Sequence, residues 1–152
     1  MKKIFLLSSL LLLTIVTSCI STKNTIRNID DSAIAPTLLD ENTYKITVQS
    51  TDKKYGYDKN YPIHVGFTKL EEGPVNQRRF LNALAGPNGE KIKYERLFNC
   101  CPFPSKKSEL GSGLLDQYKI TWEGQEKPIM LYLDMYEKGQ IMIPVGLTVK
   151  QK

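Results

Sequence analysis

The chain has 152 residues, of which 41% are hydrophobic and 24% are charged, and its formal net charge is +5. A chain of this length forms one small domain around a single core. Its basic residues are spread along the sequence, and the densest runs are pairs such as Arg78-Arg79. Because a nucleic-acid-binding protein would show a clustered basic stripe and a recognisable module, we expect no nucleic-acid partner.

The first nineteen residues have the pattern of a secretory signal. Two lysines precede an apolar run at 4–16, and small residues lead to Cys19. This order is typical of a signal peptide. Its ending on a cysteine resembles the lipobox of bacterial lipoproteins, which implies cleavage after Ser18 and lipidation of Cys19. A membrane-spanning helix, the alternative, needs about 20 apolar residues. We therefore predict a signal peptide at 1–18 and a mature protein anchored through acyl chains.

Residues 19–42 are predicted to form the lipidated end and a flexible tether. They mix Ser, Thr, Asn and Asp with isolated apolar residues and show no sustained period. In the alternative, Ile34–Leu39 docks onto the domain as an extra edge segment. No acidic residue follows Cys19 closely. Because an aspartate there often means inner-membrane retention in bacterial lipoprotein sorting, we expect by analogy an outer-membrane protein that faces the periplasm.

The folded domain is predicted to cover residues 43–152. Tyr44, Ile46 and Val48 alternate with polar residues, the period of a half-buried strand. A polar and aromatic loop follows at 52–60. Pro62–Phe67 then predicts a second strand that opens with a proline, a position where proline is tolerated.

One helix is predicted after Gly73-Pro74, because proline fits the first turn of a helix. The helical pattern continues to Ala85, and Gly86-Pro87 ends it. Further strands are predicted at 91–97, 118–122, 128–136 and 141–149, with a long loop at 99–113. About six strands and one helix, joined mostly by hairpins, predict an α+β domain with one antiparallel sheet.

Two surface features are candidate binding sites. Tyr55 and Tyr57 lie in the loop at 52–60, and loops often carry function; in the alternative, these rings cap the edge of the core. Arg78 and Arg79 lie on the predicted helix and could present forked donors to an anionic partner. The alternative for this pair is an ordinary amphipathic surface helix.

Cys100 and Cys101 are adjacent, and Cys19 is the only other cysteine. Consecutive Cα atoms lie about 3.8 Å apart, below the usual disulfide range of about 4.4–6.8 Å, so a bridge between them would brace only its own turn. The pair is either structural, as a vicinal disulfide or two buried thiols, or it handles electrons or a soft metal. Its spacing does not match the C-x-x-C of thiol oxidoreductases or zinc ribbons.

His64 is the only histidine. A histidine-rich metal site and a Ser-His-Asp triad are therefore excluded. We interpret His64 as a strand residue that faces solvent or is satisfied by a neighbour. The sequence predicts no cofactor, no metal site and no catalytic set.

Seven segments of the predicted domain carry a resemblance to known proteins: 55–57, 60–66, 77–84, 86–90, 100–103, 113–116 and 128–146. Through these segments much of the domain resembles a group of small bacterial envelope lipoproteins of unknown function. By automatic transfer, members of that group often carry the name 2-dehydro-3-deoxyphosphooctonate aldolase. The enzyme of that name is a (β/α)₈ barrel, which needs about 200 residues or more. Removal of the signal leaves 134 of the 152 residues, so we expect no aldolase activity.

The function that the sequence favours is binding or scaffolding of another envelope component by a lipid-anchored protein. The anchor and the lack of a catalytic set support it. The alternative is a small redox or metal-handling protein that uses Cys100 and Cys101.

Overall fold

The computed structural model describes residues 26–150. The predicted signal peptide at 1–18 and the predicted lipidation of Cys19 lie outside these residues. Within residues 26–150, no helix has the length and hydropathy that a bilayer span requires.

The described chain has an α+β fold, as predicted. It contains a single-turn 3₁₀ segment, Leu70–Glu72, and one α-helix, α1, Gly73–Ala83. The strands are β1 Leu38–Asp40, β2 Thr43–Tyr44, β3 Ile63–His64, β4 Leu84–Ala85, β5 Lys93–Pro104, β6 Ser112–Thr121, β7 Ile129–Asp134 and β8 Thr148–Val149.

The main sheet has four strands in the order β3-β7-β6-β5. The strands β5, β6 and β7 are antiparallel, but β3 runs parallel to β7, with Ile63 opposite Leu133. The prediction of one antiparallel sheet is therefore wrong in detail: the sheet is mixed, and two small sheets, β1-β2 and β4-β8, accompany it. The parallel pair is possible because a long connection that includes α1 separates its strands.

The predicted loop at 99–113 is also wrong. β5 continues to Pro104 and β6 begins at Ser112, so the connection is only 105–111. Pro102 and Pro104 made this stretch look irregular. Both prolines are tolerated because β5 is an edge strand, where a missing N–H leaves no ladder bond unmade on the open side.

The core lies between α1 and the main sheet. The helix begins at the predicted Gly73-Pro74 and turns Phe80 and Leu81 inward, both fully buried. It ends two residues before the predicted Ala85, because Leu84 and Ala85 are extended and pair with β8. The sheet contributes Ile63, Tyr118, Ile120, Leu131 and Leu133, and Val65, which follows β3, is also part of the core.

The described part of the predicted tether lies against the domain. The amide of Arg27 donates to the carbonyl of Asn60 at 2.8 Å, and the amide of Asp30 donates to the carbonyl of Lys138 at 2.8 Å. Further along, β1 pairs with β2. We call residues 26–33 the strap. These two hydrogen bonds attach the strap to the domain.

Candidate functional site: the hairpin of β5 and β6

The hairpin formed by β5 and β6 carries several large apolar side chains that are exposed to solvent. In the described chain β5 pairs only with β6, so it forms an edge of the sheet. Four large apolar side chains of this hairpin are exposed: Leu97 at 37%, Phe98 at 54%, Leu110 at 90% and Leu114 at 40%. Leu97 and Phe98 are neighbours on the open edge strand, so they mark that edge as a candidate interaction surface. Leu114 lies on the face of Asp116, opposite that of Phe98, and Leu110 lies in the connection between the strands. We call Leu97, Phe98 and the open edge of β5 the hairpin surface.

Two bulges divide the ladder between β5 and β6. The pairing changes by one residue at Leu97 and again between Cys100 and Phe103. Only the short segment Phe98–Cys100 has the intermediate register, in which Phe98 lies opposite Gln117. Because side chains alternate between the two faces of a strand, these bulges decide which face each side chain of that segment occupies.

The face opposite that of Phe98 carries a buried polar network. Asp116, 1% exposed, accepts from Gln77 Nε2 at 2.7 Å and from Arg96 Nη2 at 2.6 Å. Tyr118 Oη donates to Gln77 Oε1 at 2.9 Å. Burial raises the pKa of Tyr118 to about 12, with a further contribution from the Asp116 charge. The hydrogen bond to Asp116 raises the pKa of Arg96. This network ties the hairpin to α1 and fixes its position.

Cys100 and Cys101 form a disulfide at the second bulge. Both residues are partly buried. Cys101 has φ of +58°, and the other non-glycine residue with positive φ in residues 26–150 is Asn28. A left-handed conformation costs on the order of 1 kcal/mol for a residue with a side chain such as cysteine. Of the alternatives left open by the sequence, the structure therefore contains the vicinal disulfide rather than two buried thiols.

The connection between β5 and β6 contacts the strap through a charged cluster. Ser105 Oγ donates to Glu137 Oε1 at 2.6 Å, and Lys107 Nζ pairs with Glu137 Oε2 at 3.3 Å and with Asp31. Burial lowers the pKa of Lys107, but the hydrogen bond to Asp31 and the charge of Glu137 outweigh burial, and its pKa is raised. A protonated Lys107 cannot act as a general base toward Ser105. The cluster holds the hairpin against the strap.

The two tyrosines predicted as binding candidates lie inside the structure. Tyr55 is fully buried; its hydroxyl accepts from the Met142 amide at 3.0 Å and donates to the Gln140 carbonyl at 3.3 Å. Tyr57 Oη donates to the Val145 carbonyl at 2.7 Å. Burial raises the pKa of Tyr55, and it raises the pKa of Tyr57 to about 12. Tyr55 is a member of the buried core, and the partly buried Tyr57 packs against it.

The two arginines predicted as binding candidates have different surroundings. Arg78 is exposed on α1. Arg79 is only partly exposed, because its Nε donates to the Glu41 carbonyl at 3.0 Å and its Nη1 donates to Asn76 Oδ1 at 3.1 Å. Arg79 thus fastens the turn between β1 and β2 to the helix. The structure does not bring Arg78, Arg79, Tyr55 and Tyr57 together into one surface.

His64 is satisfied by neighbours and does not face solvent. Its Nδ1 lies 2.6 Å from Asp134 Oδ2, and its Nε2 lies 2.8 Å from the carbonyl oxygen of Arg27. Both His64 and Asp134 have fully buried side chains. The pair connects β3, β7 and the strap. Among residues 26–150, no three His, Cys, Asp or Glu side chains are grouped as a metal site would require.

A groove of about 680 Å³ lies between the end of α1 and the start of β5. Its volume is in the range of small-ligand sites. Tyr94 Oη donates to Asn82 Oδ1 at 2.8 Å, and Asn82 Nδ2 donates to the Asn42 carbonyl at 2.8 Å. These hydrogen bonds hold the walls of the groove together.

Comparisons with known proteins give no match to a family model, to a curated protein or to a solved structure. The site is therefore interpreted from its own geometry. Sequence reasoning missed the hairpin surface, although one signal was present: Leu97-Phe98 and Leu114-Leu115 each place two apolar residues side by side. Such a pair breaks strict alternation, which is what a bulge, or a strand with apolar residues on both faces, produces.

Proposed function

We propose that this chain is a lipid-anchored envelope protein whose hairpin surface binds another protein of the envelope. The lipobox-like end of the signal at Cys19 supports the anchor. The observation that carries the binding role is the exposure of Phe98 and its neighbours on an edge strand. The proposed location is the outer membrane, on its periplasmic side.

The edge of β5 favours a protein partner over the bilayer itself. No proline interrupts this edge between Lys93 and Asn99, so the backbone there presents polar groups beside Leu97 and Phe98. Hydrocarbon cannot satisfy backbone N–H and C=O groups. An extended segment of another protein can, by adding a strand to the open edge.

The position of the strap favours a partner near the membrane. Six residues, 20–25, lie between Cys19 and Ile26, and the seven steps along this chain span at most about 25 Å even when fully extended. The strap then runs from Arg27, beside Asn60, to Asp31, which pairs with Lys107 in the hairpin connection. A lipid on Cys19 would therefore keep the hairpin within a short distance of the bilayer.

The anchor is tested by intact-mass spectrometry of the protein purified from membranes. The proposal predicts a mature chain that starts at Cys19 and carries three acyl chains. A mass that begins at Met1, or a mature chain without lipid, would refute the anchor.

The binding role is tested by cross-linked co-purification of the mature protein from solubilised envelopes. We expect a partner that is recovered with the wild-type chain and lost with Leu97→Ser/Phe98→Ser. The matched control is Ile34→Ser/Val48→Ser, because Ile34 (90%) and Val48 (41%) are exposed elsewhere on the molecule. Recovery that is equal for the two variants would count against the hairpin surface, and recovery of the chain alone would count against a partner.

A second candidate function rests on the disulfide of Cys100 and Cys101. A partly buried disulfide on an edge strand is open to thiol–disulfide exchange, in which a thiolate attacks one of its sulfurs. The redox alternative predicts that the purified protein reduces or oxidises a dithiol substrate and that Cys100→Ser/Cys101→Ser abolishes this. Equal turnover by the variant would exclude it.

A further inference from the structure

A vicinal disulfide is incompatible with a regular β-strand. In a regular strand, successive side chains point to opposite faces. The Sγ atoms of Cys100 and Cys101 are bonded to each other, so these two side chains cannot diverge. The chain resolves this conflict at the second bulge, where Cys101 takes a left-handed φ of +58°. The disulfide therefore requires the bulge.

The second bulge sets the orientation of Phe98. Phe98, Asn99 and Cys100 form the only segment of the ladder between the two bulges. If this bulge moved past the segment, or were lost while Phe103 and Pro104 kept their partners Gly113 and Ser112, the register of the segment would change by one residue. A one-residue slip moves every side chain to the opposite face of the strand. The side chain of Phe98 would then lie on the face of the sheet that Asn99 now occupies.

We propose that the Cys100–Cys101 disulfide is a redox-controlled clasp that fixes the register of Phe98–Cys100 and so regulates binding by the hairpin surface. In the oxidised form the clasp holds the bulge and presents Phe98 on the face away from α1. The regulation rests on the proposed binding role, but the change of register does not.

The reductant is a dithiol. One of its thiolates attacks a sulfur of the disulfide and gives a mixed disulfide, and its second thiol then displaces the protein sulfur. The products are two cysteine thiols in this chain and one disulfide in the reductant, with two electrons and two protons transferred. Once the bond is broken, Cys101 is free to leave its left-handed conformation and the strand can become regular.

The register is tested on the mature protein in detergent micelles, oxidised and after treatment with dithiothreitol. Cross-strand nuclear Overhauser effects report the pairs Phe98–Gln117 and Cys100–Leu115, and hydrogen exchange reports the amides at 98–103. We expect both pairs in the oxidised protein and their loss or replacement by pairs shifted by one residue after reduction. Identical pairs and exchange rates in both forms would overturn the proposal.

Two variants separate the clasp from other effects of the reductant. Cys100→Ser/Cys101→Ser cannot form the disulfide. We expect its strand register to match that of the reduced protein and to be unchanged by dithiothreitol. Cys100→Ser/Cys101→Gly also lacks the disulfide, but glycine adopts positive φ readily. We therefore expect this variant to retain the register of the oxidised protein. A serine variant that keeps the oxidised register would contradict the clasp.

Binding is measured separately, by the co-purification described above in oxidised and reduced envelopes. A register change accompanied by at least a several-fold change in recovery of the partner supports regulation. A register change with unchanged recovery would refute the regulatory role and leave the clasp standing. If no partner is recovered in either state, the proposed binding role fails. The register measurements still test whether the disulfide fixes the register of Phe98–Cys100.

Discussion

His64 Nδ1 lies 2.6 Å from Asp134 Oδ2 in a fully buried pair, and its second ring nitrogen, Nε2, lies 2.8 Å from the carbonyl oxygen of Arg27. A carbonyl oxygen can only accept, so Nε2 donates to Arg27. The other oxygen of Asp134, Oδ1, accepts from the Tyr136 amide at 2.7 Å. One buried histidine thus joins two strands to the strap.

Removing His64 should destabilise the domain strongly. His64→Ala leaves the buried Asp134 carboxyl without its hydrogen-bond partner, and an unsatisfied buried polar group costs about 1–3 kcal/mol of unfolding free energy, in addition to the cavity that the lost ring leaves. His64→Asn/Asp134→Asn, in which both partners are replaced, should cost less than the sum of its two single variants. Urea unfolding measures these values. Purely additive losses would show that the pair is not coupled.

The strap should be displaced by a single methyl group at Gly139. A Cβ there would overlap the carbonyl oxygen of Asn28 and lie 2.9 Å from His64 Cδ2. We expect Gly139→Ala to lose about 1–3 kcal/mol and to become sensitive to proteolysis within 26–33. Ile34→Ala, at a side chain 90% exposed, is the control and should cost little. Wild-type resistance to protease in Gly139→Ala would contradict the packing of the strap.

Asp116 should matter far more for stability than the exposed ion pair next to it on the hairpin. Asp116→Ala removes the acceptor of buried Gln77 Nε2, and an unsatisfied buried donor costs about 1–3 kcal/mol. The pair of Lys119 and Glu95, at 2.9 Å, is exposed to solvent, and Lys119→Gln should change the unfolding free energy by about 0.5 kcal/mol or less. Chemical denaturation of both variants tests this ranking, and similar losses would refute it.

Stability should fall in alkaline solution as buried tyrosines ionise. Burial raises the pKa of Tyr57 and of Tyr118 to about 12, and it also raises the pKa of Tyr55. An unfolded tyrosine has a pKa of about 10. Between these values the folded state binds more protons than the unfolded state, so stability is full below pH about 10 and is lost as the pH rises toward about 12. Thermal melts across this range should show the loss, and Tyr57→Phe should reduce its slope. A flat profile would contradict the burial of these hydroxyls.

Local patterns in the sequence predicted the helix but not the pairing of the strands. Gly73-Pro74 marks the start of α1 through proline chemistry, and the helical period predicted the inward face at Phe80 and Leu81. The parallel pairing of β3 with β7 depends on contacts between segments far apart in sequence, which no local period encodes. The same holds for the docking of the strap.

The sequence did not predict the hairpin surface, because local patterns were misleading there as well. The prolines that follow Cys100-Cys101 favoured a loop, so the sequence analysis did not predict that Phe98 would be exposed on an edge strand. Conversely, Tyr55 looked like a surface residue because its loop is polar. It is buried because its hydroxyl is satisfied by the backbone of Gln140 and Met142.

The most direct test of the binding role is site-specific photo-crosslinking in intact cells. A photoreactive amino acid at position 98 should give one discrete cross-linked product with another envelope protein, and the same probe at position 34 should give none. Products at both positions, products only with a second copy of this chain or with lipid, or no product at position 98 would contradict the proposal that the hairpin surface is a docking site for an envelope protein.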